Sequence, residues 1–227
     1  MFFWDPTMLL LIPALLFAFY AQMKVKSTYR KYSQIRNMGG MTGREAAMRL
    51  LRDNGIDDVG VEEVQGVLSD HYDPRDKVVR LSTDNYHGAS LAALSVAAHE
   101  VGHAIQDAKD YAPLRLRHSI LPVTNIGSMA AFPLFIAGML FSWPVLMDIG
   151  ILFFAGVVLF HAVTLPVEFN ASSQAMLQLE DRGYLSRDET RNAKKVLNAA
   201  ALTYVAAAAM AALNLIRLLI LRGAMDE

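Results

Sequence analysis

Four runs of apolar residues without a single charged side chain restrict what this chain can become. Residues 7–23 read TMLLLIPALLFAFYAQM, residues 119–142 SILPVTNIGSMAAFPLFIAGMLFS, residues 149–167 IGILFFAGVVLFHAVTLPV and residues 196–216 VLNAAALTYVAAAAMAALNLI. A helix needs about 20 such residues to cross the hydrocarbon core of a bilayer. In lipid the backbone must satisfy its own hydrogen bonds, so helices are the expected form. The first three runs read as spans, the first with help from Phe2 to Pro6. The fourth is alanine-rich and carries Asn198, Thr203, Tyr204 and Asn214, which leaves open a span or a helix buried in protein. The first run has no basic flank before it, only Asp5, and no small-x-small site after it, so it is expected to stay as an anchor.

The polar residues are concentrated between these runs. Fourteen of the 21 Lys and Arg lie in 24–118, five more lie in 181–195, and the turn near Ser142 to Met147 has none. An up-and-down path puts both basic stretches on one side, which the positive-inside rule makes cytoplasmic, with the N-terminus outside. Lys24, Lys26, Arg30, Lys31, Arg115 and Arg117 adjoin membrane ends, whereas Arg217 and Arg222 argue against a spanning fourth run. The expected organisation is an N-terminal membrane helix (1–23), a cytoplasmic-side part (24–118), a hairpin of membrane helices (119–167), a further helix (168–195) and a C-terminal membrane or buried helix (196–227).

Within 24–118, Thr42 and Glu45 form a capping box for a helix over 42–54 that stops at Gly55. Gly66 to Tyr72 and Lys77 to Ser82 resemble two strands around Asp73-Pro74-Arg75-Asp76. Ala89 to Gln106 reads as a helix of small and apolar residues. In helix two, Asn125, Gly127 and Ser128 suit helix packing. The net charge is −1, so nucleic acid is not an expected partner. Cysteine is absent, so any metal must be held by nitrogen and oxygen.

Residues 99–103 read His-Glu-Val-Gly-His. On a helix, positions four apart share a face, so His99 and His103 can reach one ion. Glu100 beside them can take a proton from a zinc-bound water without being a ligand. Gly102 keeps the helix slim. Ala92, Ala93, Ala97, Ala98 and Ala104 imply tight burial, and buried His and Glu need a reason. Two histidines leave a catalytic zinc site incomplete. The metzincin continuation would need Gly at 106 and His at 109, where this chain has Gln106 and Lys109. Glu168 follows an apolar run and returns to the same side, so it is read as the third zinc ligand over an ordinary interfacial carboxylate at a helix start.

Glu168-Phe169-Asn170-Ala171-Ser172 resembles the EFxAD element of HtpX-type and CAAX-prenyl membrane proteases. The opening FFWDPTMLLLIPALLFAFYAQ, the stretch SDHYDPRDKVVRLS and AAHEVGHAIQ resemble still more closely the YugP-like membrane zinc metallopeptidases, over essentially the whole chain. The resemblance implies a gluzincin: His99, His103 and Glu168 as zinc ligands and Glu100 as general base. Ser172 stands where the EFxAD pattern has Asp, leaving a hydroxyl, able to donate or accept one hydrogen bond, in place of a carboxylate that supports the ligands.

The expected fold is mainly α, with multi-pass membrane helices, a zincin-type catalytic helix and a small β element whose edge suits an extended substrate. The expected activity is zinc-dependent peptide hydrolysis in a bacterial plasma membrane, with the active site on the cytoplasmic side. The expected partners are a peptide or protein substrate and the lipid bilayer, beside any membrane-protein partner, which the sequence does not identify. Tyr86, His87, Arg191 and Tyr204 are candidate donors to the developing oxyanion; the sequence does not choose among them. His71, His118 and His161 read as ordinary surface or interfacial imidazoles, and His87 as the best candidate for a further contact at the site. Two alternatives stand beside this reading. Met147-Asp148-Ile149-Gly150 faintly resembles the LDG element of site-2 intramembrane proteases, which would put Asp148 on the metal. A zinc-binding membrane scaffold would need no base such as Glu100.

Overall fold

The first apolar run enters as a 3-10 segment over Pro6–Leu11 and continues as helix α1 (Ile12–Ser33). The computed structural model describes residues 6–225; residues 2–5 of the opening segment lie outside them. In chain order follow α2 (Gly43–Asp53), β1 (Gly60–Val64), β2 (His71–Asp73), β3 (Val78–Ser82), α3 (Thr83–His87), α4 (Leu91–Ala108), α5 (Ala112–Leu140), α6 (Pro144–Asp181) and α7 (Arg187–Gly223). The protein is mainly α with one small sheet, as expected. Among the described residues, four helices are long and apolar enough to cross a membrane: Pro6–Ser33, Ala112–Leu140, Pro144–Asp181 and Arg187–Gly223. The fourth apolar run is thus part of a helix of spanning length.

One compact unit comprises the described residues of Met1–Gln22, Arg115–Pro166 and Thr203–Glu227. Ala131, Phe135, Met147, Phe154 and Leu218 form its core. Here α5 and α6 approach so closely that a Cβ on Gly150 would stand 2.7 Å from the carbonyl oxygen of Ala131. Leu15, Leu16, Phe19, Val123, Ile126, Met129 and Leu152 point outward, an arrangement suited to lipid rather than water. Asp148, between the second and third apolar runs, lies inside α6. Pro144 starts that helix early, since its fixed φ suits the first helical position and its missing N–H is not needed there. Asp148 Oδ1 accepts from Arg222 Nε at 2.8 Å, and Arg217 Nε donates to Thr7 Oγ1 at 3.1 Å. Arg217 and Arg222 of the last helix therefore have polar partners within this unit.

The second unit comprises Met23–Leu114 and Val167–Leu202. Its core joins Leu50 and Leu51 of α2, Val79 and Leu81 of β3, Leu91, Leu94, Val101 and Ile105 of α4, and Leu179, Val196 and Leu197. The strand order is β1-β3-β2, with β1 parallel and β2 antiparallel to β3. The expected strand over 66–72 is corrected here: only His71–Asp73 pairs, and an unexpected strand forms at Gly60–Val64. Gly66 at φ +117° and Leu68 at φ +55° turn the intervening chain instead of extending it. Asp70 then accepts from Ser82 N at 2.7 Å and Asn85 Nδ2 at 2.9 Å, tying this loop to the end of β3.

The capping box of α2 is present. Glu45 N donates to Thr42 Oγ1 at 3.2 Å and Thr42 N to Glu45 Oε2 at 2.9 Å. The backbone and side-chain hydrogen bonds of Thr42 hold the Glu45 carboxyl below its usual pKa. A depressed folded-state pKa means the box contributes above the ordinary carboxylate range and is lost as pH falls through the folded value. Thr42→Ala should lower the stability of the purified protein by about 1 kcal/mol, read as a reduced thermal midpoint, and the difference from wild type should narrow in acid.

Candidate metal centre

Ser90 sets the start of α4: its hydroxyl accepts from Ala93 N at 3.1 Å. From that cap, His99 and His103 fall one turn apart on one face. Ala92, Ala93, Ala97, Ala98 and Ala104 are each at most 1% exposed, so neighbouring elements press close to the helix. The closest is α6. A Cβ on Gly102 would stand 2.6 Å from the carbonyl oxygen of Ala171, an approach that only glycine permits.

That contact delivers Glu168. Its Oε2 lies 3.2 Å from His99 Nε2 and 3.6 Å from His103 Nε2. One ligand atom from each of the three residues falls within 4.8 Å of the others, close enough to hold one metal ion. Glu100 is not in that group, although it is buried at 8% exposed. The imidazole rings stand edge to face, 4.8 Å between centroids. The far nitrogens are also engaged. His99 Nδ1 lies 3.2 Å from Ser172 Oγ, and His103 Nδ1 lies 3.0 Å from Gln106 Oε1.

Burial opposes protonation of His103, yet its pKa is raised, because Glu168, Glu100 and Gln106 outweigh that opposition. The pocket therefore favours positive charge. Two buried carboxylates beside two imidazoles are costly without a cation. Two nitrogens and one carboxylate oxygen, without a thiolate, match the donor set of a catalytic zinc site.

The other sequence candidates have partners or places of their own. His71 Nδ1 lies 2.8 Å from Ser69 O, and His87 Nε2 lies 3.1 Å from Glu63 Oε2 on an exposed surface. Tyr86 lies under the Arg44 guanidinium, 5.6 Å from its ring centroid, and Arg191 is exposed beside Asp188 at 3.6 Å. His118, His161 and Tyr204 belong to the other compact unit. Sequence reasoning used Gln106 only to exclude a metzincin and overlooked its contact with His103. Its position three residues after His103, on the same face, was the available signal.

The profile of a family described as "Putative neutral zinc metallopeptidase" matches residues 7–223. The chain is 50% identical over 208 residues, 92% of each protein, to one from Bacillus subtilis (strain 168) named "Putative membrane protease YugP". No solved structure matches.

The Gly102–Ala171 approach can be tested directly. Gly102→Ala should force α4 and α6 apart, carry Glu168 away from the histidines and weaken zinc binding at least about tenfold. Competition with a chromophoric chelator would measure this, with helical content by circular dichroism unchanged. Wild-type affinity in the variant would mean that the close contact does not set the site.

Proposed function

The chain belongs to that family of zinc metallopeptidases, and from this premise we propose that it hydrolyses peptide bonds at a membrane, with His99, His103 and Glu168 holding zinc and Glu100 serving as general base. The convergence of these three donors, on α4 and α6, carries the reading. A zinc ion held there would supply Lewis-acid polarisation of a carbonyl oxygen and acidify a water. Glu100, one position after His99 on α4, accepts the proton of the attacking water as the new C–O bond forms. It returns that proton to the amine nitrogen as the C–N bond breaks. Ligands on HExxH and on a later glutamate make this a gluzincin arrangement. The sheet offers two edge strands, β1 and β2, along either of which a substrate can add in extended form.

The site-2 alternative needs Asp148 at the metal. Asp148 instead accepts a hydrogen bond from Arg222, and Glu168 is the carboxylate beside the histidines. A purely structural zinc site gives Glu100 no task. We place the protein in a bacterial plasma membrane with the metal on the cytoplasmic side, on the distribution of Lys and Arg along the chain.

Glu100→Gln should keep zinc and lose nearly all peptide cleavage, since the amide keeps the shape but cannot take the proton. Wild-type turnover by that variant would remove Glu100 as the base. Metal analysis should find about one zinc per chain, none in His99→Ala/His103→Ala, sharply weaker binding in Glu168→Ala and unchanged binding in Asp148→Ala. The reverse order for the last two would favour the site-2 reading.

The topology has its own test. Cysteines placed at Arg44 and Arg187 should react with an impermeant reagent from the cytoplasmic side, and one at Trp143 from the opposite side. Labelling of all three from one side would contradict the hairpin.

A further inference from the structure

Gln106 is 2% exposed, and both ends of its amide are engaged. Its Nε2 lies 2.8 Å from Val167 O and 2.9 Å from Asn170 Oδ1, and its Oε1 faces His103 Nδ1 at 3.0 Å. One of these partners admits no ambiguity. A backbone carbonyl can only accept, so the atom facing Val167 must be the amide nitrogen. The amide oxygen is then turned to His103, and it too can only accept. Glu168 Oε2 also faces this ring, 3.6 Å from Nε2, but the Gln106 contact at 3.0 Å is the shorter, so the proton of neutral His103 is held on Nδ1 and the Nε2 lone pair turns to the side of Glu168, where a metal would bind.

We propose that Gln106 is a positioning residue that locks His103 in the Nδ1–H tautomer and so presents Nε2 ready for a metal. This rests on the metal-site reading above. The lock belongs to the same helix contact that delivers Glu168. Gln106 is one turn after Gly102 on α4, and its acceptor Val167 is one turn before Ala171 on α6, the residue that Gly102 touches. Asn170 Oδ1 gives the amide nitrogen a second acceptor, which opposes rotation of the amide.

His99 has no equivalent. Its Nδ1 meets the Ser172 hydroxyl at 3.2 Å, and a hydroxyl donates or accepts as required. The far nitrogen of His103 is thus held by an amide anchored to the backbone of another helix, while the far nitrogen of His99 meets a hydroxyl that does not by itself select a tautomer.

The experiment uses the full chain in detergent micelles, stripped of metal, with its six histidines labelled with 15N. Long-range 1H–15N correlations, at a pH that keeps the imidazoles neutral, report each tautomer, and single His→Gln variants assign the signals. Wild-type His103 should show the Nδ1–H form alone. In Gln106→Met, which keeps the length but loses the amide, it should show a mixture, and zinc affinity should fall about 10- to 100-fold. Asn170→Ala leaves the Val167 anchor and should keep the single tautomer. A purely space-filling role for Gln106 would leave the tautomer signature unmoved. An Nε2–H or mixed form in the wild type overturns the proposal, whether or not Gln106→Met folds, and so does an unchanged single tautomer in Gln106→Met. Zinc titrated into the wild type separates the two readings: the shift of the His99 and His103 signals tests the metal site, and the spectrum before titration tests the lock.

Discussion

The candidate site depends on one contact without a side chain, the approach of Gly102 on α4 to the carbonyl oxygen of Ala171 on α6. Packed helices lie about 8–10 Å apart depending on the side chains at the contact, and smaller side chains let them come closer. Removing Cβ at 102 and lining α4 with alanine closes the distance. Glu168 then meets both imidazoles, Gln106 reaches Val167 O, and Ser172 reaches His99. The chemistry is carried by the polar residues, but their meeting is set by the small ones.

Such closeness has an electrostatic consequence. Glu168 has 3% of its side chain exposed, and His99 and His103 have 14% and 11%. Burying ionisable groups this far costs several kcal/mol per ion unless they are compensated. The imidazoles compensate in part, as the raised pKa of His103 records. A divalent cation held by all three donors at once would compensate more fully. The hydrogen bonds to the far nitrogens keep the rings oriented, so little ordering is left to binding.

Much of this was legible in the sequence because it is local. The HEVGH spacing, the Thr42–Glu45 box and the uncharged runs each carry their signal within a few residues, and Glu168 could be placed from the order of those runs. What escaped notice depends on distant partners. Strand β1 contains Glu62-Glu63 and lies at a sheet edge, paired in parallel with β3, so its sequence shows no buried alternation. The acceptors of Gln106 lie 61 and 64 positions away, and nothing near Gln106 announces them. The early start of α6 at Pro144 was hidden for a different reason: a proline at a helix N-terminus looks the same in sequence as a proline in a turn.

The register of α6 explains why residue 168, and no neighbour, meets the histidines. Val167, Ala171, Ala175 and Leu179 recur every fourth position and are at most 1% exposed; they form the stripe that packs inward. Each step along a helix turns a side chain by about 100°. Glu168 and Ser172, one step beyond this stripe, stand beside the packing contact and not within it, where a carboxylate and a hydroxyl can reach the histidines while Val167 and Ala171 bring the backbones together. One step further, Phe169 is 47% exposed and faces away. A stripe of small and apolar residues with the donors displaced by one position therefore specifies the site as much as the HEVGH motif does. The histidines define where a metal can bind, and the stripe decides which residue of the distant helix completes the set.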